Sequence, residues 1–144
     1  MKILNIAIII VSNTRTHETD KSGKKLSEMI SNEGHVIVTK EIVKDDIYAI
    51  RKVASDFILN KEIDSIILSG GTGITGSDGT PEAIEPLLDK IIDGFGELFR
   101  LKSFEKIKTS SLQSRALAGV ANKTFIFVLP GSIDACKTAW NEII

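Results

Sequence analysis

Cysteine is almost absent from the 144 residues: Cys136 stands alone. That excludes an intrachain disulfide and a cysteine-based zinc site. His17 and His35 have no carboxylate or cysteine at ligand spacing, so neither is given a metal role. Net charge is also nearly absent, at −1. No basic face for nucleic acid is expected, and a phosphate ligand would have to be held by local donors. The apolar run at residues 3–11 is too short to span a bilayer. No small-residue cleavage site precedes the polar Asn13, Thr14 and Arg15, so this run reads as a buried strand, not a signal peptide. A cytoplasmic location, with neither membrane nor nucleic acid as partner, is the expectation.

What is present is an ordinary globular composition, 42% hydrophobic and 26% charged. No repeat, low-complexity segment or long linker interrupts it, so residues 1–144 are expected to form a single domain. The near-continuous apolar run at 3–11 fits a central parallel strand covered on both faces. A helix is expected over residues 22–33, ended by Gly34. A second strand over 35–43 follows, then a helix from about Asp46 to Asn60. In that helix Ile47, Ile50, Val53, Ala54, Phe57 and Ile58 fall on one stripe roughly 140° wide. A third strand ends at Leu68. Residues 81–89 read as a short helix with Thr80 as its N-cap and Pro81 at its start. Gly94, Phe95 and Gly96 are expected to break the chain. In the next helix, expected over 95–104, Phe95, Leu98, Phe99, Leu101 and Phe104 spread over roughly 220° of the wheel. So wide an apolar face means either burial between two layers of its own domain or packing on another subunit, and the small size of the domain favours the second. Residues 116–121 and 124–129 flank Asn122 and Lys123 as an antiparallel hairpin, and residues 133–144 form a last helix. Strands alternating with helices predict a three-layer, doubly wound α/β fold: a mostly parallel sheet, helices on both faces and one local antiparallel hairpin.

The most informative stretch is residues 69–83, SGGTGITGSDGTPEA. A strand, a glycine loop and a helix start make an anion cradle: the backbone N–H groups are uncovered and the helix terminus is partly positive. Gly71 to Gly76 matches the G-x-G-x-x-G dinucleotide pattern, but after the third strand and with four residues before Pro81, so the match is weak. The P-loop reading fails because Ser77 stands where the lysine belongs. Asp78 inside a phosphate cradle implies a mediating cation, naturally Mg²⁺, and Asp45 is placed to supply a second carboxylate. Such a set suits phosphoryl or nucleotidyl transfer, in which the protein mainly positions and neutralises charge. In a doubly wound sheet ligands lie at the carboxyl ends of the strands. Ser12, Asn13, Asp20, Lys21, Ser22 and Gly23 are expected there, with the glycine loop and Pro130, Gly131 and Ser132. Blander readings stay open: Asp45 as N-cap of the second helix, Ser132 as N-cap of the last, and Arg115 as phosphate ligand or subunit-interface salt bridge. Cys136 reads as core packing, and Trp140 as core or interface.

Ser69, Gly70, Gly71, Thr72 and Gly73, with Asp78, Thr80, Pro81, Glu82 and Ala83, resemble the signature of the MoaB/MogA family of molybdenum cofactor biosynthesis. The likeness extends in order through Val11–Asn13, Asp20–Gly23, Ile42–Asp45, Gly94–Glu97, Leu112–Arg115, Ala121–Thr124 and Leu129–Ser132, and it is nearer the MoaB branch. It implies Mg²⁺-dependent adenylyl transfer from ATP to molybdopterin, giving adenylyl-molybdopterin and pyrophosphate. It implies Asp45 and Asp78 as catalytic, metal-holding positions. Ser12, Asp20, Ser22, Gly23, Ser69, Gly70, Gly71, Thr72, Gly73, Thr80, Gly131 and Ser132 would bind the substrates. It also implies assembly as a trimer or a dimer of trimers, and relatives with a further tail beyond the position of Ile144. Ser77 departs from the family, which often carries arginine there. A non-catalytic molybdopterin-binding oligomer is therefore a second reading, and an NAD(P)-binding protein a more remote third.

Overall fold

The computed structural model describes residues 2–144. Its strands are β1 (Asn5–Val11), β2 (Val36–Val43), β3 (Ser65–Ser69), β4 (Lys90–Ile91), β5 (Leu117–Ala121) and β6 (Thr124–Leu129). Its helices are α1 (Lys21–Asn32), α2 (Ile47–Leu59), α3 (Thr80–Ile84), α4 (Asp93–Ile107) and α5 (Ile133–Glu142). The six strands form one sheet in the order β2-β1-β3-β6-β5-β4. β2, β1, β3 and β6 are parallel, while β5 runs antiparallel to both β6 and β4. Asn122 and Lys123 join β5 to β6 at positive φ, 50° and 66°, the backbone of a tight hairpin turn.

Alternation along β1 divides the core. Ile6, Ile8 and Ile10 face a layer with Leu26 and Ile30 of α1, Phe95 and Phe99 of α4, and Cys136 and Ala139 of α5. Ala7, Ile9 and Val11 face Ile50 and Ala54 of α2 and Ala83 and Ile84 of α3. Both faces of the central strands are thus dry, which explains their unbroken apolar sequence. The hydrophobic core and the expected three-layer fold are one fact seen twice.

Helix ends follow local chemistry. Asp20 caps α1, its Oδ1 accepting from Gly23 N–H at 2.9 Å. At the other end Gly34 N–H donates to Ser31 C=O and His35 N–H to Ile30 C=O, a Schellman closure.

Some expectations change. The short helix does not run to residue 89: α3 stops at Ile84, a 3-10 turn covers Glu85–Leu87, and Lys90–Ile91 pairs with β5. Pro86 cannot donate the backbone hydrogen bond that would continue α3. Thr80 is not the N-cap. Gly79 holds that position, and Thr80 is the first helical residue. Gly94 and Gly96 do not break the chain. They sit inside the first turn of α4, where Gly96 lets the helix approach the backbone at Ala116 C=O. The last helix ends two residues early, at Glu142.

Candidate functional site

Register places the site. Ile10 pairs with Ser69 and Ser69 with Leu129, so β1, β3 and β6 end together. The connections leaving them line a cleft of about 670 Å³ with Ser12, Arg15, Ser22, residues 69–73, Asp78, Gly131 and Ser132 among its walls. The chain moves from β1 to β2 on one side and to β3 on the other. The cleft therefore opens at the point where strand order reverses, as in other doubly wound sheets. Phe99, Ser103 and Lys106 of α4 and Ala135 and Thr138 of α5 close its far side.

The glycine loop is built by backbone requirements. Gly70 and Gly71 take φ of +107° and +70°, which disfavour any side chain. A Cβ on Gly71 would also collide with Thr80 Oγ1 and come within 2.9 Å of Asp45 Oδ2. Among the described hydrogen bonds the N–H groups of Gly71 and Thr72 have no acceptor, while that of Gly70 is spent on Leu129 C=O at 2.9 Å. Both free donors border the cleft, as an anion cradle requires. α3 is only five residues long, so the helix-terminus contribution expected from the sequence is slight; the loop itself supplies the donors.

The serines divide by where their protons go. Ser69 Oγ donates to Pro130 C=O at 3.1 Å and Ser22 Oγ to Gly131 C=O at 2.6 Å, so these hydroxyls tie loops together. Ser12 Oγ accepts from the N–H groups of Thr14 and Arg15, and Ser132 Oγ accepts from Ala135 N–H at 3.1 Å. Each keeps its O–H free to donate to a ligand. Ser132 is therefore both the cap of α5 and a cleft residue.

Asp78 projects into the cleft, its Oδ2 accepting from Thr75 Oγ1 at 2.6 Å and Thr75 N–H at 3.1 Å. The Thr75 hydroxyl hydrogen bond holds the Asp78 carboxyl below the usual carboxylate range. Asp45 lies behind the loop. Its Oδ1 accepts from the N–H of Gly79, the residue after Asp78, at 3.1 Å, and its own N–H donates to Asn13 Oδ1 at 2.9 Å. Burial raises the Asp45 carboxyl, and the Asp78 and Glu82 charges add to the rise. The helix cap expected of Asp45 belongs to Asp46, whose Oδ1 accepts from the N–H groups of Tyr48 and Ala49. Asp45 is thereby free for other chemistry. Mg²⁺ binds through one or two carboxylates and completes its shell with water and substrate phosphates. The half-buried Asp78 on the cleft wall and the Asp45 carboxylate tied to the same loop from behind fit that donor set.

Three expected lining residues are elsewhere. Asp20 is fully buried, with Lys40 Nζ 3.8 Å from its Oδ2, and Gly23 is spent on the Asp20 cap. Thr80 is buried beneath the loop, donating to Gly70 C=O at 2.8 Å. None of the three is among the residues that line the cleft. Arg115 is engaged with the loop. Its Nε donates to Gly73 C=O at 2.8 Å, its Nη2 to Asp78 C=O at 2.8 Å and its Nη1 to Glu82 Oε2 at 2.5 Å. The guanidinium faces the loop's own carbonyls, and it forms an ion pair with Glu82 within the chain. Missed altogether were Arg15 and Lys106, the cations of the cleft wall. Arg15 was findable, since it follows β1 at the ligand-binding edge. Lys106 was not, because one lysine on a long helix carries no signal. Cys136 is buried beside Ser69 Oγ at 3.5 Å, with burial raising its thiol pKa, as suits packing. Trp140 packs edge-on to His35 at 6.1 Å, against the core.

A doubly wound sheet with a glycine cradle and paired carboxylates at its switch point defines a phosphate-ligand-binding α/β protein. Comparison with known proteins makes this specific. The sequence profile described as a probable molybdopterin binding domain matches residues 7–144. Molybdenum cofactor biosynthesis protein B of Escherichia coli K12 is 52% identical over 139 residues, 96% of this chain and 82% of that protein. The Bacillus subtilis protein of the same name is 44% identical over 143 residues, 99% of this chain and 84% of its own. A crystal structure of molybdenum cofactor biosynthesis protein B superposes with a TM-score of 0.96 at 42% identity, covering 99% of this chain and 89% of that one. The tungsten cofactor synthesizing protein MoaB of Pyrococcus furiosus does so at 0.83 and 34%, covering 99% and 91%. The chain belongs to the MoaB/MogA family of molybdenum cofactor biosynthesis proteins. Among the described residues no helix is long and apolar enough to cross a membrane.

Proposed function

We propose that the cleft transfers the adenylyl group of ATP to molybdopterin, releasing pyrophosphate. The observation that carries this reading is the pairing of Asp45 and Asp78 through Gly79, with free N–H groups of Gly71 and Thr72 on the adjoining loop. A terminal phosphate of molybdopterin attacks the α-phosphate of ATP and pyrophosphate leaves. The N–H groups of Gly71 and Thr72 and the hydroxyls of Ser12 and Ser132 receive phosphate oxygens. Asp45 and Asp78 would hold Mg²⁺, which when bound would neutralise phosphate charge and favour departure of pyrophosphate. Phe99, Ile107 and Ala135 give the cleft an apolar wall for the heterocyclic part of a substrate.

A second reading rests on Ser77. Its hydroxyl lies 3.1 Å from Thr75 Oγ1, and its own side chain carries no charge. A neutral residue there favours a protein that holds molybdopterin without turnover. Incubation with molybdopterin and Mg²⁺·ATP separates the two: adenylyl-molybdopterin and stoichiometric pyrophosphate support transfer, and bound pterin with neither product supports the binder.

Self-association as a trimer or hexamer belongs to the same proposal. Phe95 and Phe99 of α4 enter the core, but Leu101 is 61% exposed and Leu98, Phe104 and Ile107 are uncovered beside it. A second copy of the chain would cover this face.

A further inference from the structure

We propose that Arg115 is a positioning residue: anchored through Arg100 to α4, its guanidinium holds the glycine loop in the shape that presents Asp78 to the cleft. Residues 73–78 make few other connections to the body of the protein. Within the loop, Thr75 and Asp78 bond to each other, which fixes a turn but not its place. Arg115 supplies that place. Its side chain reaches three loop carbonyls, those of Thr72, Gly73 and Asp78, and its backbone N–H donates to Thr72 C=O at 3.3 Å. Glu82 of α3 closes the far side of the guanidinium. A planar fork of donors can do this; a lysine ammonium cannot span the same carbonyls.

The fork is itself held. Arg100 Nη1 donates to the carbonyls on either side of Arg115, Ser114 at 3.3 Å and Ala116 at 3.2 Å. Gly96, one turn earlier on α4, allows that approach. A chain of contacts thus runs from α4 through residues 114–116 to the glycine loop. α4 also carries the exposed apolar face, so covering that face would stiffen the same chain of contacts.

Amide hydrogen exchange tests the placement without any assumption about turnover. In R115Q the amides of Thr75, Asp78 and Gly79 should exchange on the order of 10-fold or more faster, with β1 and β3 unchanged. R115K should behave like R115Q, since charge without the fork does not restore the bonds. If R115Q does not fold, R115K decides. Mg²⁺·ATP binding at fixed pH adds the readout that a purely structural arginine would not move: affinity falls on the order of 10-fold in both folded variants, since neither keeps the fork that places Asp78. Loop exchange unchanged in either folded variant overturns the proposal, as does an unchanged Mg²⁺·ATP affinity in a variant whose loop exchanges faster. The binding arm rests on the adenylyl-transfer reading. A wild type that binds no Mg²⁺·ATP, with faster loop exchange in R115Q, counts against that reading and supports Arg115 as the loop's anchor.

Discussion

At the scale of residues, the site turns on two aspartates whose protonation is pulled in opposite directions. Asp45 is raised by burial and by the neighbouring carboxylates, and Asp78 is lowered by Thr75. On acidification the first proton therefore goes to Asp45. Calorimetric titrations should show Mg²⁺·ATP affinity falling as pH drops through the raised Asp45 pKa, and D45N should remove that limb. The stability signs differ as well. Asp78, depressed in the folded state, stabilises the fold above its unfolded pKa and loses that contribution as pH falls through its folded value. Asp45, raised in the folded state, opposes folding while ionised and ceases to do so once protonated. Gly71 is the other residue-scale constraint. Gly71→Ala combines a φ of +70° with a collision against Thr80, and thermal denaturation should show a loss of about 1–3 kcal/mol.

At the scale of elements, caps and loops have separable roles. Removing the Asp46 cap with D46A should cost about 1 kcal/mol of stability by urea unfolding, and D45A should not cost α2 that cap. S132A should lose a similar amount from α5 and in addition weaken nucleotide binding, because Ser132 both caps and lines the cleft. This level also marks what was legible in the sequence. β1, α1, β2, α2, β3, β5 and β6 could be read because their apolar spacing is set by burial on known faces. The meeting of Ser12, the glycine loop and Gly131–Ser132 followed from a parallel sheet alone. The segment 81–96 could not be read. Pro86, Gly94 and Gly96 signal interruption locally, but β4 exists only because β5 offers it an edge, and Gly96 is there to let α4 pack against residue 116. Asp45 and Asp46 are adjacent carboxylates with equal claim to the cap. Only the path of the chain leaving β2 decided between them. The role of Arg115 depends on loop carbonyls some forty positions away, which no local pattern encodes.

At the scale of the whole molecule, one sheet edge collects every group the proposed chemistry needs, while an apolar strip on α4 faces outward. Replacing Leu101 and Phe104 together by glutamate should leave the monomer folded and abolish self-association, as sedimentation velocity would show. An unchanged sedimentation coefficient would place the subunit contact elsewhere. The family assignment fixes the pathway, and the geometry proposes the step within it. Asp78 connects the two, since it is the carboxylate that the loop, Thr75 and Arg115 jointly hold at the cleft. The most direct measurement is product formation by wild type and D78A side by side, with molybdopterin and Mg²⁺·ATP, together with pterin binding by each. The account predicts adenylyl-molybdopterin and pyrophosphate from the wild type, and a loss of rate of about 100-fold or more in D78A with pterin still bound. Equal rates in the two proteins, or no product from a wild type that binds pterin, would contradict it.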